Sequence, residues 1–257
     1  MNRDKDAYTV GAVDRALALM TLVADRGAVG VQEAAREIGV APSTAHRLFA
    51  TLCQRDYLVQ GAGRRYRPGP ELLGRRAAAG IPRLVRDARP FLAEVHARAG
   101  ETVHLMVLVG TRIRLVDGIE SNHDLRVTLR LGVEFPAHAT AGGRAILAEF
   151  DREAVAARYT NGLPPGPNPP GSDQRAASLE NLLDELDAHK DRRAWFNVDQ
   201  TEVGLSIISA SISSPAREPK AALSIALPTA RFHATDPKKL AAELIEVCQR
   251  ARGYLED

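Results

Sequence analysis

Residues 10 to 69 read as three short helices followed by a basic hairpin, an order that few folds share. Val10 to Asp25 has helical periodicity, with Val13, Leu17 and Met20 on one stripe and Ala16 and Val23 beside it. Gly27 and Gly30 end it, and Val31 to Ile38 follows as a short helix with Val31, Ala34, Ala35 and Ile38 turned inward. Gly39 supplies a stop. Pro42 then suits the first turn of a third helix, because it has no N–H to leave unpaired. That helix, Ser43 to Asp56, turns Ala45, Leu48, Phe49 and Leu52 inward. Tyr57-Leu58-Val59 and Arg64-Arg65-Tyr66-Arg67 form two short strands about the turn Gly61-Ala62-Gly63. The arrangement is that of a winged helix-turn-helix.

A recognition helix needs an apolar face to hold it in place and a polar N-terminal face free to enter the major groove. Ser43, Thr44 and Arg47, with His46 beside them, occupy the second face. Hydroxyls meet base edges or phosphates, and arginine grips guanine through two hydrogen bonds. Arg64, Arg65 and Arg67 place positive charge along the hairpin, as a wing beside the DNA backbone requires. The charge balance points the same way. The first 76 residues carry 12 basic against 8 acidic side chains, the remainder 22 against 24. Taken singly, Ser43 and Thr44 would serve equally well as helix caps, and an arginine cluster as solvated surface. It is the ordered combination that argues for DNA.

Pro68-Gly69-Pro70 closes this unit, and Glu71 to Ala79 reads as a connecting helix. Gly80, Pro82 and Pro90 punctuate the chain beyond it, so a boundary is expected near residues 70 to 82. The domains expected are thus 8–69, a linker helix at 70–80, and a larger domain at 81–257. In the last, helices are expected at Leu84 to Ala99, Ala141 to Glu149, Asp151 to Tyr159, Ala176 to Lys190 and Pro237 to Tyr254. Strands are expected at Thr102 to Val109, Ile113 to Ile119, Leu125 to Leu129, Ala194 to Val198, Ile207 to Ile212 and Ala222 to Leu227. Leu163 to Pro170, with five prolines, reads as an irregular loop. The fold class is α+β, with helices flanking a largely antiparallel sheet.

Several function classes drop out. No apolar run approaches the ~18 residues of a membrane span, and Met1 to Tyr8 lacks the apolar core of a signal peptide. Cys53 and Cys248 stand far apart, so neither a disulfide framework nor a thiolate metal cage is indicated, and a cytoplasmic protein is expected. Enzyme signatures of the Gly-x-Ser-x-Gly, His-Glu-x-x-His and Gly-x-x-x-x-Gly-Lys kinds are missing from the sequence. His104, His123 and His138 fall among the strands and are metal ligands by type, but lone strand histidines are more commonly structural, so no metal or other cofactor is expected.

Several stretches resemble the IclR family of bacterial regulators. Val13 to Leu17, Val40 to Leu48 and Tyr66 to Gly69 are similar to its DNA-binding domain. The resemblance continues through Gly100 to Leu105, Ala137 to Ala145, Glu202 to Leu205 and Arg217 to Ser224, spanning roughly residues 10 to 250. It implies a winged helix domain, a linker helix and a GAF/PAS-like effector domain. It further implies a homodimer or homotetramer that binds a double-stranded DNA operator under the control of a small-molecule effector, with no membrane involved. In that family the effector pocket lies over the sheet of the second domain, walled by the loop before a helix. Thr140, Ala141, Gly142 and Gly143 match that loop, Leu205, Ile207, Ser224 and Ala226 the facing strands, and Val127 an apolar wall. Small residues let a backbone approach a ligand, and free amides at a helix start attract a carboxylate. The same glycines would also serve a tight turn with no ligand. Asn197 and Ala226 stand where relatives that sense small oxoacids carry an acidic residue and a hydroxyl, which favours a larger or less polar effector such as an aromatic acid. Glu202 is a weaker candidate for the same site.

Overall fold

The computed structural model describes residues 10–167, 178–189, 191–213 and 220–256. The chain divides into two units, Met1–Arg75 and Arg76–Asp257. In the first, helices α1 (Gly11–Arg26), α2 (Val31–Glu37) and α3 (Pro42–Gln54) accompany a small sheet of β1 (Val29–Gly30), β2 (Leu58–Gln60) and β3 (Arg65–Pro68). β3 lies in the middle, antiparallel to both neighbours. Leu19, Val23, Ala34, Phe49, Leu52, Leu58 and Tyr66 form the core, in which the Phe49 and Tyr66 rings stack with centroids 3.9 Å apart. The strand β1 escapes sequence reading because two residues carry no alternation.

The stripe expected on α1 is turned. Leu19 and Val23 are buried, whereas Val13 and Leu17 are 55% and 57% exposed. Apolar residues occupy more than half of this helix's circumference, so periodicity alone offers two stripes, and packing against α3 and β3 selects the one through Leu19.

The second unit is built on a six-stranded antiparallel sheet in the order β6-β5-β4-β9-β8-β7. Its strands are β4 (Thr102–Val109), β5 (Arg112–Ile119), β6 (Glu134–Pro136), β7 (Trp195–Val198), β8 (Leu205–Ser211) and β9 (Ala221–Pro228). β4 and β9 lie at the centre and are covered on both faces, so they read as continuous apolar runs. Val103, Leu105, Val107, Leu223, Ile225 and Leu227 point to one face, against Leu84, Ala88, Leu92 and Val95 of α4 (Pro70–Ala99) and Leu244, Val247 and Ala251 of α9 (Pro237–Glu256). The other face meets α5 (Ala141–Leu147), α6 (Arg152–Arg158) and α7 (Leu179–Ala188) through Met106, Leu108, Ile146, Leu147, Val155 and Leu182. Side-chain oxygens of Thr140, Asp151 and Ser178 cap these last three helices.

Three expectations are corrected. The breaks expected at Gly80, Pro82 and Pro90 do not occur: α4 runs unbroken from Pro70 to Ala99 with both prolines inside it. A proline removes one N–H and crowds one carbonyl, and the burial of Leu84, Ala88, Leu92 and Val95 on one face outweighs that local loss. Leu125 to Leu129 is not a strand, and the strand beside β5 is β6 instead. Side chains hold the 125–129 segment in place of a ladder. Thr102 Oγ1 donates to the Val127 carbonyl at 2.7 Å, Arg231 Nη2 donates to the Leu125 carbonyl at 3.0 Å, and the Leu129 N–H donates to Glu120 Oε2 at 3.1 Å. A short helix, α8 (Thr229–Ala234), follows β9 where none was expected. Residues 1–8, 168–170, 176–177, 190 and 217–219, on which parts of the sequence reading fall, lie outside the described residues.

Candidate functional site

Two sites take shape, one in each unit. In the first, α3 is held by Ala45, Phe49 and Leu52 on its buried face. The opposite face presents Ser43, His46 and Arg47 to solvent, with Thr44 half-buried at its edge. Pro42 opens the helix, and Ala41 before it makes no side-chain cap. The hydroxyls of Ser43 and Thr44 are therefore not taken up in capping from the Ncap position, which answers the reading of them as caps.

The hairpin between β2 and β3 exposes Arg64, Arg65 and Arg67. Its tip turns through Gly63 and Arg64, with φ of 66° and 55°, a left-handed pair that only Gly accepts without strain. Arg65 differs from its neighbours in being engaged. Its guanidinium donates to the Ala28 carbonyl at 2.7 Å and to Glu33 Oε2 at 3.1 Å, and Glu33 also pairs with Arg26 at 2.9 Å. Arg65 thus ties the hairpin to α2, leaving Arg64 and Arg67 the better placed of the three to meet an external anion.

In the second unit a cavity opens over the sheet between β4, β5, β8 and the start of α5. It is lined by Met106, Ile113, Leu115, Phe135, Leu205 and Ile207, with the polar groups of His104, Thr128, Arg130, Thr140, Thr201 and Glu202. Of the residues expected there, Val127, Thr140, Ala141, Gly142, Leu205 and Ile207 line it. Gly143, Asn197, Ser224 and Ala226 do not. Gly143 packs on the Ala137 backbone, where any side chain would overlap the carbonyl. Ser224 is buried and shares a hydrogen bond with Ser209 (Oγ to Oγ, 2.6 Å). Asn197 is buried on β7, accepting the Gln200 N–H at 3.1 Å, and Ala226 is buried in β9 between β4 and β8.

The start of α5 is less open to an anion than its sequence implies. The Thr140 hydroxyl accepts the Gly143 N–H at 3.1 Å, so one of the three leading amides is already satisfied. The positive charge at the cavity comes instead from Arg130, just past the segment expected to be a strand, and its guanidinium lies 3.5 Å from Glu202 on the facing loop. His104, Arg130 and the apolar residues of β4 and β5 were not expected here. His104 could have been found from the alternation of β4, which puts it on the face of Met106. Arg130 carried no periodic signal.

His104 and His138 are both buried, with pKa values pushed down to about 4, by burial first and by Arg130 and Arg144 respectively second. Free histidine titrates near ~6.5. As the pH falls below that value the unfolded chain takes up protons that the folded chain refuses. The stability these two groups contribute is whole above pH ~6.5 and is lost as the pH falls toward the folded value, at about 1.4 kcal/mol per pH unit for each. Urea unfolding followed between pH 7 and pH 4.5 should show the second unit weakening through this window. A flat profile would contradict the burial of both rings.

Among the described residues no group of three or more His, Cys, Asp or Glu side chains is placed to hold a metal, and His123 is exposed, apart from the other two histidines in burial. Among them too, no helix is long and apolar enough to cross a membrane.

Comparison with known proteins covers both units. The model of the IclR helix-turn-helix domain matches residues 12–62, and that of the bacterial transcriptional regulator IclR C-terminal domain matches residues 78–251. The HTH-type transcriptional regulator Rv1719 of Mycobacterium tuberculosis is 31% identical over 229 residues, which is 88% of this chain and 85% of that protein. The crystal structure of the Agobacterium tumefaciens repressor BlcR is 27% identical, with a TM-score of 0.56, covering 96% of this chain and 98% of its own. An IclR homologue from Microbacterium hydrocarbonoxydans, crystallised with 4-hydroxybenzoate, is 21% identical with a TM-score of 0.56 and has the same fold over 96% of this chain and 98% of its own.

Proposed function

Since this chain belongs to the IclR family of bacterial transcriptional regulators, which join a DNA-binding helix-turn-helix domain to an effector domain, we propose that it reads one DNA operator sequence-specifically and that an organic acid with an apolar body, an aromatic acid foremost, controls it. The observation that carries the effector class is the cavity's make-up: apolar walls from Met106, Ile113, Leu115, Phe135 and Ile207, with one guanidinium, Arg130, at its rim. A mainly apolar pocket with a few polar anchors is the ordinary form of a small-molecule site. That a homologue of the same fold was crystallised with 4-hydroxybenzoate supports the same class.

In this reading residues 8–69 bind DNA, 70–80 link, and 81–257 bind the effector and contribute to oligomerisation. Ser43, Thr44, His46 and Arg47 meet base edges or phosphates, and Arg64 and Arg67 the backbone, with Arg65 bracing the wing. The protein acts as a homodimer or homotetramer. Support for that comes from Val13 and Leu17, which with Val10 just before the helix leave an apolar stripe along α1 in solvent, and from the two-fold symmetry of palindromic operators. Effector binding shifts the preference between two arrangements of the recognition helices, and DNA affinity changes by the effector's own preference between them, typically ~1–3 kcal/mol. Repression and activation are equally compatible with this reading.

The DNA half is tested by selecting bound duplexes from a random pool and titrating the winner at several salt concentrations. Arg47→Ala should weaken binding by about 1–3 kcal/mol and relax the preference at one position of each half-site. Arg64→Ala and Arg67→Ala should weaken all sequences alike and lower the salt slope by about one each. Uniform loss in Arg47→Ala would move it from base reading to phosphate contact.

A further inference from the structure

The cavity contains polar atoms that the protein leaves unused. His104 lies in its floor on β4, 8% exposed, and its Nε2 is buried without a hydrogen-bond partner. Thr201 Oγ1, in the loop between β7 and β8, is buried in the same condition. At the rim, Arg130 faces Glu202 across 3.5 Å, with the two side chains 59% and 64% exposed. Buried polar groups are nearly always paired, so orphans that line one cavity point to a ligand or water that pairs them.

We infer that the ligand is an acid bearing a hydroxyl remote from its carboxylate, that Arg130 takes the carboxylate in place of Glu202, and that His104 Nε2 and Thr201 take the hydroxyl. This rests on the effector reading above and adds its polar recognition. The carboxylate belongs at Arg130 because a guanidinium stays charged at every working pH and matches a carboxylate with two donors. The start of α5 is the weaker anion site, since the helix is only seven residues long and Thr140 already holds the Gly143 amide. His104, kept neutral by burial and by Arg130, offers an N–H or a lone pair at Nε2 according to its tautomer. A hydroxyl answers either, whereas an unsubstituted ring edge answers neither and leaves the orphan in place. Glu202 competes with the ligand: its carboxylate occupies the cation that the acid needs.

That competition gives a signature that a merely structural pair would not show. Calorimetry on the full chain would use benzoate, 4-hydroxybenzoate and the neutral 4-hydroxybenzamide as probes. The wild type should prefer 4-hydroxybenzoate to benzoate by about tenfold or more, the cost of leaving a buried polar group unpaired. Arg130→Gln should weaken both acids by about tenfold or more and leave the amide unchanged, while Glu202→Gln should bind both acids more tightly. His104→Phe should narrow the preference, and His104→Phe with Thr201→Val should level the two acids. Arg130 and Glu202 lie at the surface, so their variants test the inference even if His104→Phe folds poorly. Acids that bind wild type, Arg130→Gln and Glu202→Gln equally would overturn the carboxylate assignment, and equal binding of benzoate and 4-hydroxybenzoate to wild type would overturn the hydroxyl. If no acid binds the wild type at all, the effector reading itself falls, and this inference with it.

Discussion

Truncating Phe49 to alanine should destabilise the N-terminal unit by about 3–5 kcal/mol and abolish DNA binding with it. Phe49 is fully buried at the centre of a core of nine buried side chains and stacks on Tyr66 at 3.9 Å with 16° between the rings. The pair joins the recognition helix to the middle strand of the wing, so its loss loosens both DNA-facing elements. A small unit buries little surface and has correspondingly little stability in reserve, and a loss of this size leaves it largely unfolded. The test is differential scanning calorimetry: the transition of the N-terminal unit should fall sharply while that of the larger unit stays in place. Joint loss of both transitions would mean that the units do not unfold separately.

The second large effect separates two adjacent glycines. Gly143→Ala should destabilise the effector unit by about 3 kcal/mol, at the upper end of the usual overpacking range, because its new methyl would run into the Ala137 carbonyl, a backbone group and not the end of a flexible side chain. Gly142→Ala meets something softer. Its methyl would overlap the terminal methyl of Met106, the mobile end of a flexible side chain. Met106 can turn aside, and the direction open to it is the cavity that both residues line. The fold should survive within about 1 kcal/mol, and ligand affinity should fall as the cavity shrinks. Thermal melts beside calorimetric titration read both quantities. Equal stability of the two variants would contradict the packing described for Gly143.

This pair marks a limit of sequence reading. Thr140-Ala141-Gly142-Gly143 is legible as a glycine-rich helix start, but which glycine faces the cavity and which faces a backbone depends on the Ala137 turn, which no local pattern announces. The first unit is more legible. Its helices and hairpin are short and local, and Pro42, Gly39 and the apolar spacing of α3 mark them out. Even there the wrong stripe of α1 was the more regular one, because Val13, Leu17 and Met20 keep period while Leu19 and Val23 are chosen by what they pack against. In the larger unit the central strands β4 and β9 are plain from their apolar runs. The 125–129 segment alternates like a strand yet is pinned by Thr102, Glu120 and Arg231, contacts from distant positions. Val127 and Thr128 of this segment line the cavity together with Arg130, which follows it directly.

The most direct test of effector-controlled operator binding is the affinity of the selected duplex for the full protein, measured with and without saturating 4-hydroxybenzoate at fixed salt. Such control predicts an enriched two-fold-symmetric site, bound with a steep salt dependence, whose affinity shifts about 5- to 150-fold when the acid is added. A duplex pool with no enrichment, or an enriched site whose affinity is untouched by an acid that demonstrably fills the cavity, would contradict it.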